Sequence, residues 1–203
     1  MTLTDEKAMD KAIAGGELPA LAFLYGEEEH LKQKVLSRLM GGGDFSSFND
    51  VRLDFAQLDA DALEEAVTTL PLMASRRSVL LFDVVPKDIT ADLFKRLEKI
   101  FASLNETCRL ILIEKSGAVD AKRDEKSKKL LRLADKYGCV FELRERSAAV
   151  LQKLVRAAAE KRGCALSPAA AKTLIERAGT QTGTLLAEVE KLCALHDYSG
   201  DIE

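Results

Sequence analysis

Three short stretches hold residue types whose spacing could do chemistry. Gly26-Glu27-Glu28-Glu29-His30-Leu31-Lys32 follows the apolar run Leu21 to Tyr25. A GxxxxGK(S/T) loop in that place would wrap phosphates in backbone N–H groups, offset their charge with lysine and hold magnesium through a hydroxyl. Three consecutive carboxylates would instead repel a triphosphate. The second stretch, Val79 to Asp83 (V-L-L-F-D), has the form of a buried strand whose last residue positions a divalent cation. Val84 stands where an acidic partner would activate water, and a buried strand ending in Asp is common without any metal. The third stretch is Thr69 to Asp83, T-L-P-L-M-A-S-R-R-S-V-L-L-F-D. Pro71 breaks the helix suggested by Ala60 to Thr69, and Ser78 to Val84 reads as a strand, so Leu72 and Met73 fall in the connection. Two readings stay open for that pair: it folds back onto its own domain, or it is a hydrophobic prong for another protein.

The remaining reactive side chains argue against other chemistry. Cys108, Cys139, Cys164 and Cys193 form no CxxC pair, which speaks against zinc ribbons and thioredoxin-like exchange. His30 and His196 are solitary, with no second ligand at metal-binding spacing. No cofactor and no metal are expected.

The elements that must position these residues follow from periodicity. A chain of 203 residues with 47% apolar content can hold one ordinary domain and a smaller one. A net charge of −3 provides no global field toward nucleic acid or anionic membrane. No apolar run approaches bilayer-spanning length, and Met1 to Gly16 lacks a signal-peptide core, so a soluble cytoplasmic protein is expected. Five strands are expected at Leu21–Tyr25, Val51–Phe55, Ser78–Val84, Leu110–Ile113 and Cys139–Leu143, with helices at Glu28–Leu39, Asp59–Thr69, Ala91–Leu104 and Asp124–Tyr137 between them. The triplet Gly41-Gly42-Gly43 marks a break. This alternation predicts an α/β domain with a parallel sheet over residues 1–144.

After Leu143 the pattern is helical only. Ser147 can cap a helix from Ala148 to Arg162, Ser167-Pro168 opens a second helix, and Gly183 to His196 makes a third. Residues 145–203 are thus expected to form a three-helix lid domain. The tail S-G-D-I-E carries no closing element and reads as a cut between domains.

A five-stranded parallel sheet followed by three helices is the layout of AAA+ ATPase modules. Gly183-Thr184-Leu185-Leu186 resembles their G-D-L-R pattern, with Leu186 where the arginine would reach nucleotide phosphates. The element order, L-Y-G-E-E in place of a phosphate loop, L-P-L-M-A-S-R-R-S-V-L-L-F and C-A-L-S-P-A-A-A together resemble the delta subunit of the bacterial DNA polymerase III clamp loader. The resemblance covers the first two domains of that family, and its collar domain would lie beyond Glu203.

The resemblance implies a non-hydrolysing subunit of the DNA-directed DNA polymerase (nucleotidyltransferase) holoenzyme. It would bind the beta sliding clamp and open the ring for loading onto primed DNA, beside gamma or tau ATPase subunits and delta-prime. Leu72 and Met73 match the apolar pair that enters the clamp pocket. The family often has an aromatic at the second position, and methionine is adaptable enough to fill the same space. Pro71, Arg76 and Arg77 are candidate rim contacts, with solvated charges flanking a strand as the alternative for the arginines. Lys122, Arg123, Lys126, Lys128 and Lys129 are candidate contacts to a DNA backbone within the assembled loader. Interspersed acids make a solvated helix face the competing reading. Two other functions remain open: an ATPase with a divergent phosphate loop, and a scaffold subunit of another AAA+ assembly.

Overall fold

The computed structural model describes residues 1–16, 18–41 and 48–203. They divide into two compact units, residues 1–27 with 32–143, and residues 28–31 with 144–203. The break after Leu143 adjoins the change of pattern in the sequence. The inclusion of 28–31 in the second unit has no local signature.

In the first unit the elements are β1 (Thr2–Leu3), α1 (Glu6–Ala14), β2 (Leu21–Tyr25), α2 (Glu29–Leu39), β3 (Asp50–Asp54), α3 (Ala60–Thr68), β4 (Arg77–Val84), α4 (Ala91–Ser103), β5 (Cys108–Glu114), α5 (Glu125–Tyr137) and β6 (Cys139–Glu142). Among the described residues the sheet has six parallel strands in the order β1-β6-β2-β5-β4-β3. Five were expected from the sequence. The sixth, β1, has two residues, too few to carry an alternating pattern, and pairs Thr2 with Val140 and Leu3 with Phe141. The N-terminal ammonium anchors it by donating to the Gly138 carbonyl at 2.9 Å.

The right-handed rule for parallel crossovers assigns the helices to faces. Steps from β3 to β4, β4 to β5 and β5 to β6 all run one way along the sheet, so α3, α4 and α5 share a face. Their buried residues Leu63, Val67, Phe94, Leu97, Ile100, Phe101, Leu130 and Ala134 form one core with Leu21, Phe23, Val79, Leu81, Leu110 and Leu112 of the strands. The steps β1 to β2 and β2 to β3 run the other way and place α1 and α2 on the opposite face. Ion pairs of Lys34 with Glu6 and Arg38 with Asp10 join those two helices. Side-chain caps start each of α1, α3, α4 and α5, from Asp5, Asp59, Thr90 and Asp124. The Gly41-Gly42-Gly43 break is described only at Gly41; Gly42 and Gly43 lie outside the described residues.

The second unit contains α6 (Ala148–Glu160), β7 (Cys164–Leu166), α7 (Pro168–Ala178), α8 (Thr182–Leu195) and β8 (Gly200–Ile202). The helices enclose Leu151, Val155, Ala159, Ile175, Leu185, Val189 and Cys193. The all-helical expectation needs correction, because β7 and β8 pair in parallel and bury Leu166 and Ile202 in the same core. Each strand is three residues long. The last one occupies the tail that the sequence pattern left without structure.

Candidate functional site

The connection from α3 to β4 begins where the helix is forced to stop. Pro71 disfavours helical backbone at Leu70, and the hydroxyls of Thr68 and Thr69 turn back onto the carbonyls of Glu64 and Glu65 at 2.8 and 2.7 Å. Pro71 is half-buried, Leu72 is 60% exposed, and Met73 is fully exposed. Four of the eight exposed large apolar side chains of the described residues are Phe48, Leu70, Leu72 and Met73. Met73 has φ +51°, a left-handed conformation uncommon for a side chain of that size.

This exposed loop is tied down from beneath. The Asn49 side-chain oxygen accepts from the Leu72 N–H at 2.7 Å, and its NH2 donates to the Leu72 carbonyl at 2.9 Å. Arg77 donates to the Phe48 carbonyl at 3.3 Å, and the Ser78 N–H donates to the Asn49 carbonyl at 2.8 Å. On the other flank the Arg76 Nε donates to the Glu106 carbonyl at 3.1 Å, and the Arg77 N–H donates to the Thr107 carbonyl at 2.8 Å. The three segments precede β3, β4 and β5, so the apolar loop stands at the amino edge of the sheet. Both arginines named as rim candidates are partly buried and already bonded to main-chain carbonyls.

The opposite edge is where an open α/β sheet holds its ligands, in the crevice at the switch in strand order. Here that crevice lies between the carboxyl ends of β2 and β5. Glu114, the last residue of β5, is buried, and its carboxylate accepts from the Gly26 N–H at 2.5 Å and the Val119 N–H at 2.6 Å. Lys32 is 1% exposed, and its ammonium reaches the Glu114 carbonyl at 3.5 Å. Burial pushes the Glu114 carboxyl up from its ordinary range, although the Gly26 and Val119 N–H bonds and the Lys32 charge pull it down. A backbone N–H and a lysine that could hold a phosphate are both directed to groups of the protein. Gly26 has φ +122°, and a Cβ there would sit 2.2 Å from the Leu143 carbonyl oxygen. The close turn leaves no room for another residue.

Other parts of the expected nucleotide machinery have different surroundings. Asp83 is exposed, has φ +56°, and sits in a register shift between Leu81 and Val84. Glu28 is buried in the second unit, where Arg146 donates to it at 2.8 Å and the Thr182 hydroxyl at 2.5 Å. Leu186 packs on the core of the second unit. Among the described residues no group of His, Cys, Asp or Glu could hold a metal ion.

The five basic candidates lie on or just before α5 and do not converge. Lys126 donates to the Lys87 carbonyl at 2.6 Å, Lys128 pairs with Glu125 at 2.5 Å, and Lys129 lies 4.4 Å from the Phe94 ring centroid. The Lys122 and Arg123 side chains are exposed, while their main-chain N–H groups both bond the Asp120 carboxylate at 3.0 Å.

The family described as "DNA polymerase III, delta subunit" matches residues 23–144, more than half of the chain. The chain belongs to this family. It is 26% identical to DNA polymerase III subunit delta of Bacillus subtilis over 202 residues, covering 95% of this chain and 56% of that protein. The chain therefore spans just over half the length of this family member. Among solved structures, the DNA clamp loader delta protein of B. subtilis aligns with TM-score 0.64 at 21% identity, over 97% of this chain and 59% of that one. The RuvB Holliday junction branch migration motor of Thermotoga maritima aligns with TM-score 0.57 at 12% identity, over 98% and 66%. An AAA+-like fold is thus shared with a motor protein, and the family is that of the delta subunit of DNA polymerase III.

Two polar residues escaped the sequence reading. Asn49 is 23 positions from the residue it holds, and Glu114 looks like the end of a strong strand, R-L-I-L-I-E. For Glu114 the available signal was a carboxylate ending a fully buried strand, while Asn49, before the partly exposed β3, carried none.

Proposed function

We propose that this chain engages the beta sliding clamp through Leu72 and Met73 and opens the ring for loading onto primed DNA, without hydrolysing nucleotide itself. The observation that carries the proposal is the exposure of that pair on a loop fixed to the amino edge of the sheet. Burying a leucine or methionine side chain contributes roughly 1.5–3 kcal/mol, so two anchors in one pocket can dominate a modest interface. Opening then follows from differential binding: the subunit holds the open ring better than the closed one and shifts that equilibrium. Pro71, Arg76 and Arg77 frame the anchors.

Nucleotide turnover belongs, in this reading, to gamma or tau partners, with delta-prime completing the loader in the cytoplasm. The Glu114 carboxylate on the Gly26 N–H and the buried Lys32 support it, since a phosphate would have to displace both arrangements. Of the basic residues, Lys122 and Arg123 are best placed to meet the backbone of primer-template DNA in the assembled loader. The absence of any helix long and apolar enough to cross a membrane, among the described residues, is consistent with this setting.

The test is equilibrium binding of the purified clamp to this chain and to a Leu72→Ala, Met73→Ala double variant. Affinity should fall by about 100-fold or more. Unchanged affinity removes the prong, and tight Mg-ATP binding by calorimetry would favour a divergent ATPase.

A further inference from the structure

We infer that Asn49 is a positioning residue for the clamp-binding loop, presenting Leu72 through its backbone; this rests on the proposed role of Leu72 and Met73. The primary amide of an asparagine has one acceptor and a pair of donor hydrogens, like a peptide unit turned outward. Asn49 uses both sides on a single residue, accepting from the Leu72 N–H and donating to the Leu72 carbonyl. That is the exchange two residues make in a sheet ladder, here made by one side chain against a loop.

The location explains why the contact should govern binding. Asn49 is 9% exposed and its own carbonyl is fixed by the Ser78 N–H, so the side chain projects from the start of β3 with its backbone held by β4. Leu72 itself is mostly exposed and has little packing to hold it. The next residue, Met73, adopts a left-handed conformation that a free chain would seldom visit. A loop with two large apolar side chains in water and one residue in a sparsely populated region needs an external constraint to keep a single shape. Binding by a pre-shaped loop avoids the entropy of ordering it at the moment of contact. Asn49 provides that constraint without touching the partner.

The experiment measures clamp affinity for the 203-residue chain and its Asn49→Ala, Asn49→Asp, Leu72→Ala/Met73→Ala and combined variants. Hydrogen exchange at the Leu72 amide and thermal unfolding are measured alongside. Asn49→Ala should weaken clamp binding about tenfold. The Leu72 amide should lose its protection while the amides of β4 and β5 keep theirs. Asn49→Asp keeps the acceptor and sets a carboxylate against the Leu72 carbonyl, so it should restore much of the amide protection and only part of the affinity. In the Leu72→Ala/Met73→Ala background, Asn49→Ala should change nothing further, because its effect passes through those side chains.

Wild-type affinity in Asn49→Ala, with binding lost in the Leu72/Met73 variant, overturns the positioning role and leaves the clamp reading standing. An additive effect in the combined variant, or equal loss of protection throughout the sheet, also overturns it, since either marks a general destabilisation. Failure of the unmodified chain to bind the clamp overturns both.

Discussion

The two edges of the central sheet are built from the same strands and treat their polar and apolar groups in opposite ways. At the carboxyl edge, Gly26, Val119, Lys32 and Glu114 satisfy one another inside the protein. At the amino edge, roughly 25 Å away along an eight-residue strand, the Asn49 amide and the Leu72 main chain satisfy one another, but here they hold Leu72 and Met73 out in water. In an AAA+-type motor the carboxyl edge is where a nucleotide would sit, and here that edge has become part of the core. The amino edge presents two large apolar side chains to solvent, the surface to which the proposed partner would bind. The difference teaches that hydrogen bonds can turn polar groups inward at one edge of a sheet and hold apolar side chains outward at the other.

Stability should separate the two edges. Glu114→Ala leaves two backbone N–H groups without their acceptor, which costs about 3 kcal/mol. Thermal unfolding should fall by about 10 °C for a chain of this size. The Leu72→Ala/Met73→Ala variant, which deletes exposed atoms, should shift it by no more than about 1 °C. Equal shifts would break the comparison, because they would mean that the apolar loop is also part of the core.

A smaller effect sharpens the account of the carboxyl edge. Burial raises the Glu114 carboxyl above its ordinary value of 4.5, so the folded protein binds that proton more tightly than the unfolded chain does. The resulting stabilisation is full below the unfolded value and is lost as pH rises through the folded one. Glu114→Gln, uncharged at every pH, should lack this loss. The stability of the wild-type protein minus that of Glu114→Gln, from denaturant titrations between pH 4 and neutrality, should therefore decline with rising pH. A rising difference would mean that the N–H bonds and Lys32 outweigh burial.

What the sequence disclosed follows from the range of the interactions involved. The α/β order was legible because each buried strand and amphipathic helix carries its own period, and the apolar loop because Pro71, Leu72 and Met73 are neighbours. The two-residue β1 and the pair β7 and β8 were not, since strands that short carry no alternation. The supports of both edges were hidden for another reason. Asn49 meets Leu72, and Glu114 meets Gly26, across 23 and 88 positions, through contacts that exist only after the strands take their order. Among the basic residues, a count of charge suggested a patch, while Lys126, Lys128 and Lys129 have partners of their own within the first unit.

The smallest expected effect tests whether disturbance of the loop stays local. Cys108 begins β5 directly beside Arg77 in the register of β4, and it is 1% exposed. Burial pushes its thiol up to about 11, with Arg77 and Arg76 pulling slightly the other way. At pH 8 almost none of it is thiolate, the reactive form, so labelling by a disulfide reagent should require the edge to open. The wild-type protein and the Leu72→Ala/Met73→Ala variant should label Cys108 equally slowly, and both rapidly in denaturant. If the variant labels much faster while its unfolding temperature is unchanged, the two apolar side chains are holding the amino edge shut, and their exposure would then serve the sheet beneath them instead of a partner above.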